Sequence, residues 1–176
     1  VGGMANNILK YKGYNIGNSI RETNCDEVVS KIFSLAEKNN CNLVFPSDVA
    51  VGKTLEDKAE IKDLSDLKDD DIILDIGPKT INSINNILEN SKTVLWNGPA
   101  GYFENKNFAK GTIAIAEKIS NNTNTSSLIS IVGGGDTISA IKNNDLKVNF
   151  THLSTAGGAF LEYIEGKNLP GIEVLK

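Results

Sequence analysis

The stretch IVGGGDT, residues 131–137, combines residue types that can hold a polyphosphate. Glycines at the end of an apolar run let backbone N–H groups approach an anion closely, and a following helix adds the positive end of its dipole. A nucleotide polyphosphate arrives with Mg²⁺, which prefers carboxylate oxygen. We therefore predict that Gly134 and Gly135 contact phosphate, that Asp136 ligates Mg²⁺, and that Thr137 offers its hydroxyl to phosphate.

A second glycine pair occurs in STAGGA, residues 154–159. Gly157 and Gly158 precede a helical pattern, so their amides predict a second anion site. Two such sites on one sheet edge favour phosphoryl transfer, because its catalysis consists mostly of positioning and charge stabilisation. Simpler interpretations remain: Asp136 only caps a helix beginning at Thr137, and the second glycine pair forms an ordinary turn.

The elements that must position these residues alternate along the chain. Apolar runs predict strands at residues 42–46, 72–78, 93–99 and 127–135, with a short one inside 151–159. Helical spacing predicts helices at residues 4–12, 26–38, 80–90, 108–119, 138–143 and 159–165. Residues 52–71 are polar and indicate a surface excursion with room for one short strand. This alternation predicts an α/β fold: three layers, with a mostly parallel sheet and helices on both faces.

Turn-forming or polar residues follow the apolar part of every predicted strand: Pro46, Asp75, Asn97, Gly133 and Gly157 are examples. The carboxyl ends of parallel strands share one edge, and ligands of open α/β folds bind in the crevice at that edge. Strand-to-helix loops also need such residues for their turns alone. Their recurrence after each strand favours a binding site.

Composition excludes several other classes. Hydrophobic residues make up 40% of the 176 residues and charged residues 23%, as in globular domains. No apolar run approaches the roughly 20 residues of a membrane helix, and VGGMANNILK lacks the features of a signal peptide. The net charge of -4, without a Lys/Arg cluster, argues against nucleic acid. We expect a cytoplasmic protein with no membrane partner and with Cys25 and Cys41 reduced.

Three possible motifs are rejected. SDVAVGKT, residues 47–54, ends like a P-loop but has serine where the pattern needs its first glycine. The dinucleotide pattern G-x-G-x-x-G is absent. His152 is the sole histidine, and no serine or cysteine can be placed with it in a nucleophile triad.

Five segments occur in the order seen in phosphoglycerate kinases: VGGMANNILKYKGYNIGNS, LDIGPKT, TVLWNGPAGYFENKNFAKGT, IVGGGDT and HLSTAGGAFLEYIEGKNLPG. The resemblance covers essentially the whole chain. It implies that residues 1–176 are the Rossmann-like, nucleotide-binding C-terminal domain, incomplete at its N-terminus. The first strand, with the lysines that neutralise ATP phosphates, and the whole N-terminal acid-binding domain would precede the chain.

The resemblance also implies an activity. Phosphoglycerate kinase is a glycolytic phosphotransferase with a carboxyl group acceptor. It transfers a phosphoryl group reversibly between 1,3-bisphosphoglycerate and ADP, giving 3-phosphoglycerate and ATP, with Mg²⁺ bound to the nucleotide. We expect a monomer, and we expect the present chain to be inactive without the acid-binding domain. A non-catalytic nucleotide-binding module of the same fold remains an alternative, because the deciding residues would lie upstream.

Nucleotide contacts follow from the resemblance residue by residue. Gly2 and Gly3 match the pair that packs against adenine. Asn97 and Pro99 match residues near the phosphates and ribose, and Glu104 matches the carboxylate that bonds the ribose hydroxyls.

The glycine turns take the remaining roles. Residues 134–137 match the phosphate and Mg²⁺ loop, in which Asp136 is the metal ligand. Gly134, Gly157 and Gly158 match the backbone that faces the transferring phosphoryl group, and residues 152–155 match a hinge for domain closure. Two positions depart from the family pattern: Ala156 replaces a common glycine, and Tyr102 replaces a small aliphatic residue near the adenine pocket.

Overall fold

The computed structural model describes residues 2–125 and 127–175, and all structural statements concern these residues. Its helices are α1 (Gly2–Tyr11), α2 (Asp26–Lys38), α3 (Pro78–Asn90), α4 (Lys110–Asn124), α5 (Gly135–Asn143), α6 (Gly158–Ile164) and α7 (Pro170–Glu173). Its strands are β1 (Asp48–Gly52), β2 (Glu60–Asp63), β3 (Ile72–Ile76), β4 (Thr93–Asn97), β5 (Ile129–Gly133) and β6 (His152–Ser154). No helix in the described ranges is both long and apolar enough to span a membrane.

A parallel sheet with the order β4-β5-β6 forms the second half of the fold. Asn97 lies opposite Gly133, and Gly133 lies opposite Ser154, so the last residues of the three strands are neighbours at one edge. This register confirms the α/β class and brings three of the predicted strand ends together. The residues that follow these strands therefore share one side of the sheet.

The first half of the fold contains an antiparallel sheet with the order β2-β1-β3. The strand predicted at residues 42–46 is wrong, because that segment forms no strand and β1 begins at Asp48. Val49, Ala50 and Val51 are buried and pair with strands on both sides, whereas Pro46 has no N–H to donate to a ladder. Pro46 therefore does not end a strand.

A shared hydrophobic core joins the two sheets, which have no strand pair with each other in the described part of the chain. Ile76 of β3, Trp96 of β4 and Val132 of β5 pack with Ile115 and Ile119 of α4. Fully burying an apolar side chain of this size contributes about 1.5–3 kcal/mol. The core therefore holds the ends of β3 and β4 against the middle of α4.

Local sequence determines most helix boundaries. α2 has the bounds expected from its periodicity, and α1 ends before Gly13, whose φ of 88° is one that glycine readily adopts. α5 begins at Gly135, three residues before the expected start, because Gly134 serves as its N-cap residue. α7, which starts with Pro170, was not expected. The earlier start of α5 changes the position of Asp136 in the candidate site.

Candidate functional site

Two glycine turns meet at the carboxyl edge of the parallel sheet. Gly134 has φ 96° and ψ 135°, a conformation that side chains disfavour. A Cβ at Gly134 would lie 2.7 Å from Oδ1 of Asn97, and a Cβ at Gly157 would lie 3.1 Å from Cα of Gly134. Only glycine fits either position without movement of its neighbours. The structure thus brings Asn97, Gly134 and Gly157 together, and we call these three residues the glycine cradle.

The amide of Asn97 forms one wall of the glycine cradle. Its Oδ1 is buried and has no hydrogen-bond partner among the described residues. Leaving a buried acceptor unpaired costs about 1–3 kcal/mol. A half-turn about χ2 would present the amide N–H₂, with two donors, to the cradle. A polar ligand in the cradle would therefore give this amide a partner that the chain does not provide.

The N-terminus of α5 adds backbone donors to the cradle. Gly134 is its N-cap residue, and no side chain caps this end of the helix. The first turn of a helix has N–H groups without intrahelical partners and carries the positive end of the helix dipole. Gly135 follows with open space where its Cβ would be. This combination suits a phosphate group.

Asp136 lies inside the first turn of α5 with its side chain exposed. The alternative that Asp136 caps a helix beginning at Thr137 is wrong, since the helix begins at Gly135 and Gly134 is the N-cap residue. No group of three or more His, Cys, Asp or Glu side chains in the described ranges could hold a metal ion. A single free carboxylate nevertheless fits Mg²⁺, which is usually held by one or two carboxylates together with substrate phosphates.

Thr137 is fully buried, and its hydroxyl oxygen accepts a hydrogen bond of 2.8 Å from the backbone N–H of Gly98. This bond ties the start of the β4–α4 loop to the first turn of α5. The hydroxyl oxygen is already engaged, so the structure gives Thr137 a positioning contact. Its predicted bond to phosphate stays a prediction.

The second glycine turn precedes α6. Gly157 is the N-cap residue and Gly158 begins the helix, with open space where a Cβ at Gly158 would lie. The N–H of Ala156 donates to Oγ of Ser154 at 3.2 Å. Alanine at this position, in place of the common glycine, therefore does not prevent its amide from forming a turn. His152 is exposed in β6. The predicted contacts of Gly157 and Gly158 with a phosphoryl group remain predictions.

A cavity of about 740 Å³ lies between the start of α1, strand β3 and the β4–α4 loop. Gly2, Gly3 and Pro99 line it, which brings three predicted nucleotide contacts into one space. Leu74 and Tyr102 contribute further lining, so the departure at Tyr102 falls on the cavity wall. A largely apolar cleft of this size suits a heteroaromatic base.

Glu104 lies in the β4–α4 loop between two buried aromatic side chains. Phe103 and Phe108 are 7% and 0% exposed, and Asn105 Nδ2 donates to the carbonyl of Leu55 at 2.8 Å. The loop is therefore anchored on both sides of Glu104, whose own side chain is exposed and does not line the cavity. Its contact with ribose stays a prediction.

The GKT sequence forms no P-loop. Gly52 ends β1, and residues 53–59 form turns and irregular structure that lead into β2, where a P-loop would begin a helix. Lys53 Nζ lies 2.7 Å from Oδ1 of Asp71, which also pairs with Lys62. Burial alone would raise the pKa of Asp71, but hydrogen bonds from Lys53, from the Lys68 N–H and from Lys62 lower it to about 2. Lys53 is therefore part of a structural ion-pair cluster, in agreement with the sequence interpretation.

The structure gives Asp75 a role that sequence reasoning missed. This residue of β3 is 2% exposed, and burial raises the pKa of its carboxyl group to about 6 despite hydrogen bonds from the N–H groups of Gly111 and Ile76. The available sequence signal was an acidic residue inside the apolar run IILDI. That signal marks a buried carboxylate but not its partners in α4.

Comparison with known proteins agrees with this geometry. The family model described as phosphoglycerate kinase matches residues 1–167. Phosphoglycerate kinases of Zymomonas mobilis and Francisella philomiragia are 44% and 45% identical to the chain over 99% of its length. The chain spans only 45% and 44% of these two relatives.

Solved structures give the same result. The phosphoglycerate kinase structure from Coxiella burnetii matches 99% of the chain with a TM-score of 0.89 at 40% identity, and the chain covers 45% of it. The structure from Pyrococcus horikoshii matches 99% of the chain with a TM-score of 0.72 at 28% identity, and the chain covers 44% of it. With a family model, sequence relatives and solved structures in agreement, the chain belongs to the phosphoglycerate kinase family.

Proposed function

We propose that this chain is the nucleotide-binding part of a phosphoglycerate kinase. The reaction is reversible phosphoryl transfer between 1,3-bisphosphoglycerate and ADP, giving 3-phosphoglycerate and ATP. The observation that carries the proposal is the unpaired, buried Oδ1 of Asn97 beside Gly134. Because buried polar groups are nearly always paired, an unpaired one beside a glycine-only turn supports a place for a polar ligand there.

The nucleotide would follow the β4–α4 loop. Its base enters the cavity lined by Gly2, Gly3 and Pro99, and its phosphates extend to the glycine cradle at Asn97. Pro99 lies two residues after Asn97, so one short segment serves both ends of the ligand. Glu104, further along the same loop, takes the ribose hydroxyls.

Magnesium fits this arrangement through Asp136. The carboxylate is exposed at the first turn of α5, beside the amides that would hold phosphate. Bound Mg²⁺ supplies positive charge that neutralises the phosphate oxygens during transfer. The backbone of Gly134, Gly157 and Gly158 orients the phosphoryl group and keeps side chains away from it.

The acid substrate would bind to the part of the protein that this chain does not span, since the chain covers 45% of a relative's length. Catalysis by the chain alone is therefore not expected. The monomeric state and the cytoplasmic location remain predictions.

The test measures Mg-ADP binding by titration calorimetry and phosphoryl transfer by a coupled assay, both on the full-length protein. Asn97→Ala should weaken Mg-ADP binding about tenfold, because the cradle loses a polar contact of about 1.4 kcal/mol. The matched control is Asn144→Ala, because Asn144 Nδ2 donates to the Ala140 carbonyl at the opposite end of α5. This control should bind nucleotide as the parent does.

Two results would contradict the proposal. A parent protein that binds no adenine nucleotide at millimolar concentration would exclude a nucleotide site. A parent that binds Mg-ADP but transfers no phosphoryl group from 1,3-bisphosphoglycerate would instead support a non-catalytic nucleotide-binding module.

A further inference from the structure

The buried carboxylate of Asp75 connects strand β3 to the helix that follows the nucleotide loop. Its Oδ2 accepts a hydrogen bond of 2.9 Å from the N–H of Gly111, in the first turn of α4. Its Oδ1 accepts one of 2.8 Å from the N–H of Ile76. Asp75 also lies on the wall of the cavity that Gly2 and Gly3 line.

Two glycines leave the space that this carboxylate occupies. A Cβ at Gly101 would lie 2.5 Å from Oδ1 of Asp75, and a Cβ at Gly111 would overlap the same oxygen. Neither glycine has a positive φ, so backbone conformation is not the reason for glycine at these positions. Gly101 lies near the start of the β4–α4 loop and Gly111 lies just after its end. Asp75 is thus packed between the two ends of this loop.

Two further hydrogen bonds attach the β4–α4 loop to β3 and to α4. The N–H of Tyr102 donates to the carbonyl of Leu74, next to Asp75 in β3, at 2.7 Å. The N–H of Ala100 donates to the buried Oγ1 of Thr112, next to Gly111 in α4, at 2.9 Å. The segment that contains Pro99 and Tyr102 is therefore attached both to β3 and to α4, and Asp75 links these two supports.

We propose that Asp75 is a positioning residue for nucleotide binding, which holds the β4–α4 loop in the shape that places Pro99 and Tyr102 on the cavity wall. The inference rests on the proposed function, because the cavity is assigned there to the base of the nucleotide. Asp75 acts through the loop and does not itself contact the phosphates.

Asp48 offers a matched control for this role. It is also buried in a strand of the same sheet, and its carboxylate accepts hydrogen bonds from the N–H groups of Lys79 and Thr80 at 2.9 and 2.8 Å. These groups belong to the first turn of α3, which does not carry the nucleotide loop. Asp48→Asn and Asp75→Asn therefore remove the same kind of strand-to-helix bond, but only Asp75→Asn affects the loop.

The experiment uses the full-length protein and measures KM for ADP, KM for 1,3-bisphosphoglycerate and kcat, with thermal melting to establish that each variant folds. Asp75→Asn should raise KM for ADP about tenfold, the effect of losing one well-placed buried hydrogen bond. Its kcat and its KM for the acid substrate should stay within about twofold of the parent, because the loop contributes uniform binding. Asp48→Asn should lower the melting temperature and leave KM for ADP unchanged.

Asp75→Ser provides a second variant, because serine is smaller and adds no N–H₂ group facing the N–H of Gly111. It should show the same rise in KM for ADP. The proposal is overturned if both Asp75 variants keep the parental KM for ADP, if Asp48→Asn raises it equally, or if both Asp75 variants fail to fold while Asp48→Asn folds. If the parent protein does not bind ADP, both the proposed function and this inference are overturned. If the parent binds ADP and both Asp75 variants keep the parental KM for ADP, only this inference is overturned.

Discussion

The hydroxyl of Thr137 accepts a hydrogen bond of 2.8 Å from the backbone N–H of Gly98, across 39 residues of sequence. Gly98 follows β4 with a φ of 94°, and Thr137 belongs to the first turn of α5. The bond therefore joins the loop that approaches the cavity to the helix end that approaches the cradle. The relative position of the two predicted parts of the nucleotide site depends on this contact.

Thr137→Val tests this link, because valine keeps the shape of threonine and removes the acceptor. The Gly98 N–H loses its partner, which should lower the free energy of unfolding by about 1–3 kcal/mol. Thr137→Ser retains a hydroxyl and should keep most of that stability. Urea unfolding followed by far-UV circular dichroism measures both variants, and equal stability of the valine and serine variants would show that the bond contributes nothing.

Asp136→Asn should lower the turnover of the full-length protein far more than its affinity for ADP. The substitution removes the proposed Mg²⁺ ligand, and comparable electrostatic contacts are worth about 2.7–4 kcal/mol in the transition state. Steady-state kinetics at saturating Mg²⁺, with calorimetric binding of ADP, separates the two effects. Asp145→Asn is the control, since Asp145 is an exposed carboxylate past the other end of α5 and its φ of 51° suits asparagine. Parental turnover in Asp136→Asn would exclude the metal role.

Sequence patterns alone predicted the bounds of α2 and the shared edge of the parallel strands. The bounds of α2 follow from its amphipathic spacing and its acidic first turn, with Asp26 and Glu27. The neighbours Asn97 and Gly133 follow from the rule that parallel strands end at one edge. Both interpretations needed no information about distant partners.

Long-range partners explain what the sequence could not predict. The apolar residues 42–46 and the segment Asp48–Gly52 are both plausible strands, and pairing with β2 and β3 decides between them. Asp75 was recognisable as a residue near a strand end, but its contact with Gly111 joins positions 36 residues apart. Nothing in the sequence indicates that the N–H of Gly98 donates to the hydroxyl of Thr137, and the bond of that hydroxyl to phosphate stays a prediction.

Glu104→Gln should raise KM for ADP and spare turnover in the full-length protein. A carboxylate that accepts from ribose hydroxyls contributes about 1.5–3 kcal/mol, equally in the ground and transition states. A 2′,3′-dideoxy analogue of ADP lacks both hydroxyls, so its KM should barely change in the variant. Glu117→Gln, on the exposed side of α4, is the matched control. An equal penalty for ADP and its analogue, or lower turnover at an unchanged KM, would contradict the role of Glu104.

Asp75 should also make stability depend on pH. Burial raises the pKa of this carboxyl group from 3.8 to about 6, so the folded state favours the protonated form. The contribution of protonated Asp75 to the free energy of unfolding is fully present below about pH 4. It is lost as the pH rises through about 6, because the buried group must then ionise. The full shift corresponds to about 3 kcal/mol.

Asp75→Asn removes this titration, since asparagine stays neutral throughout the range. The melting temperature of the parent, relative to that of the variant, should therefore fall between about pH 4 and pH 7. Asp71 should act in the opposite direction at lower pH: its pKa is lowered to about 2, so its contribution is present above about pH 4 and is lost as the pH falls towards 2. Parent and variant melting curves that run parallel from pH 4 to 7 would show that Asp75 ionises in the folded state as readily as in the unfolded chain.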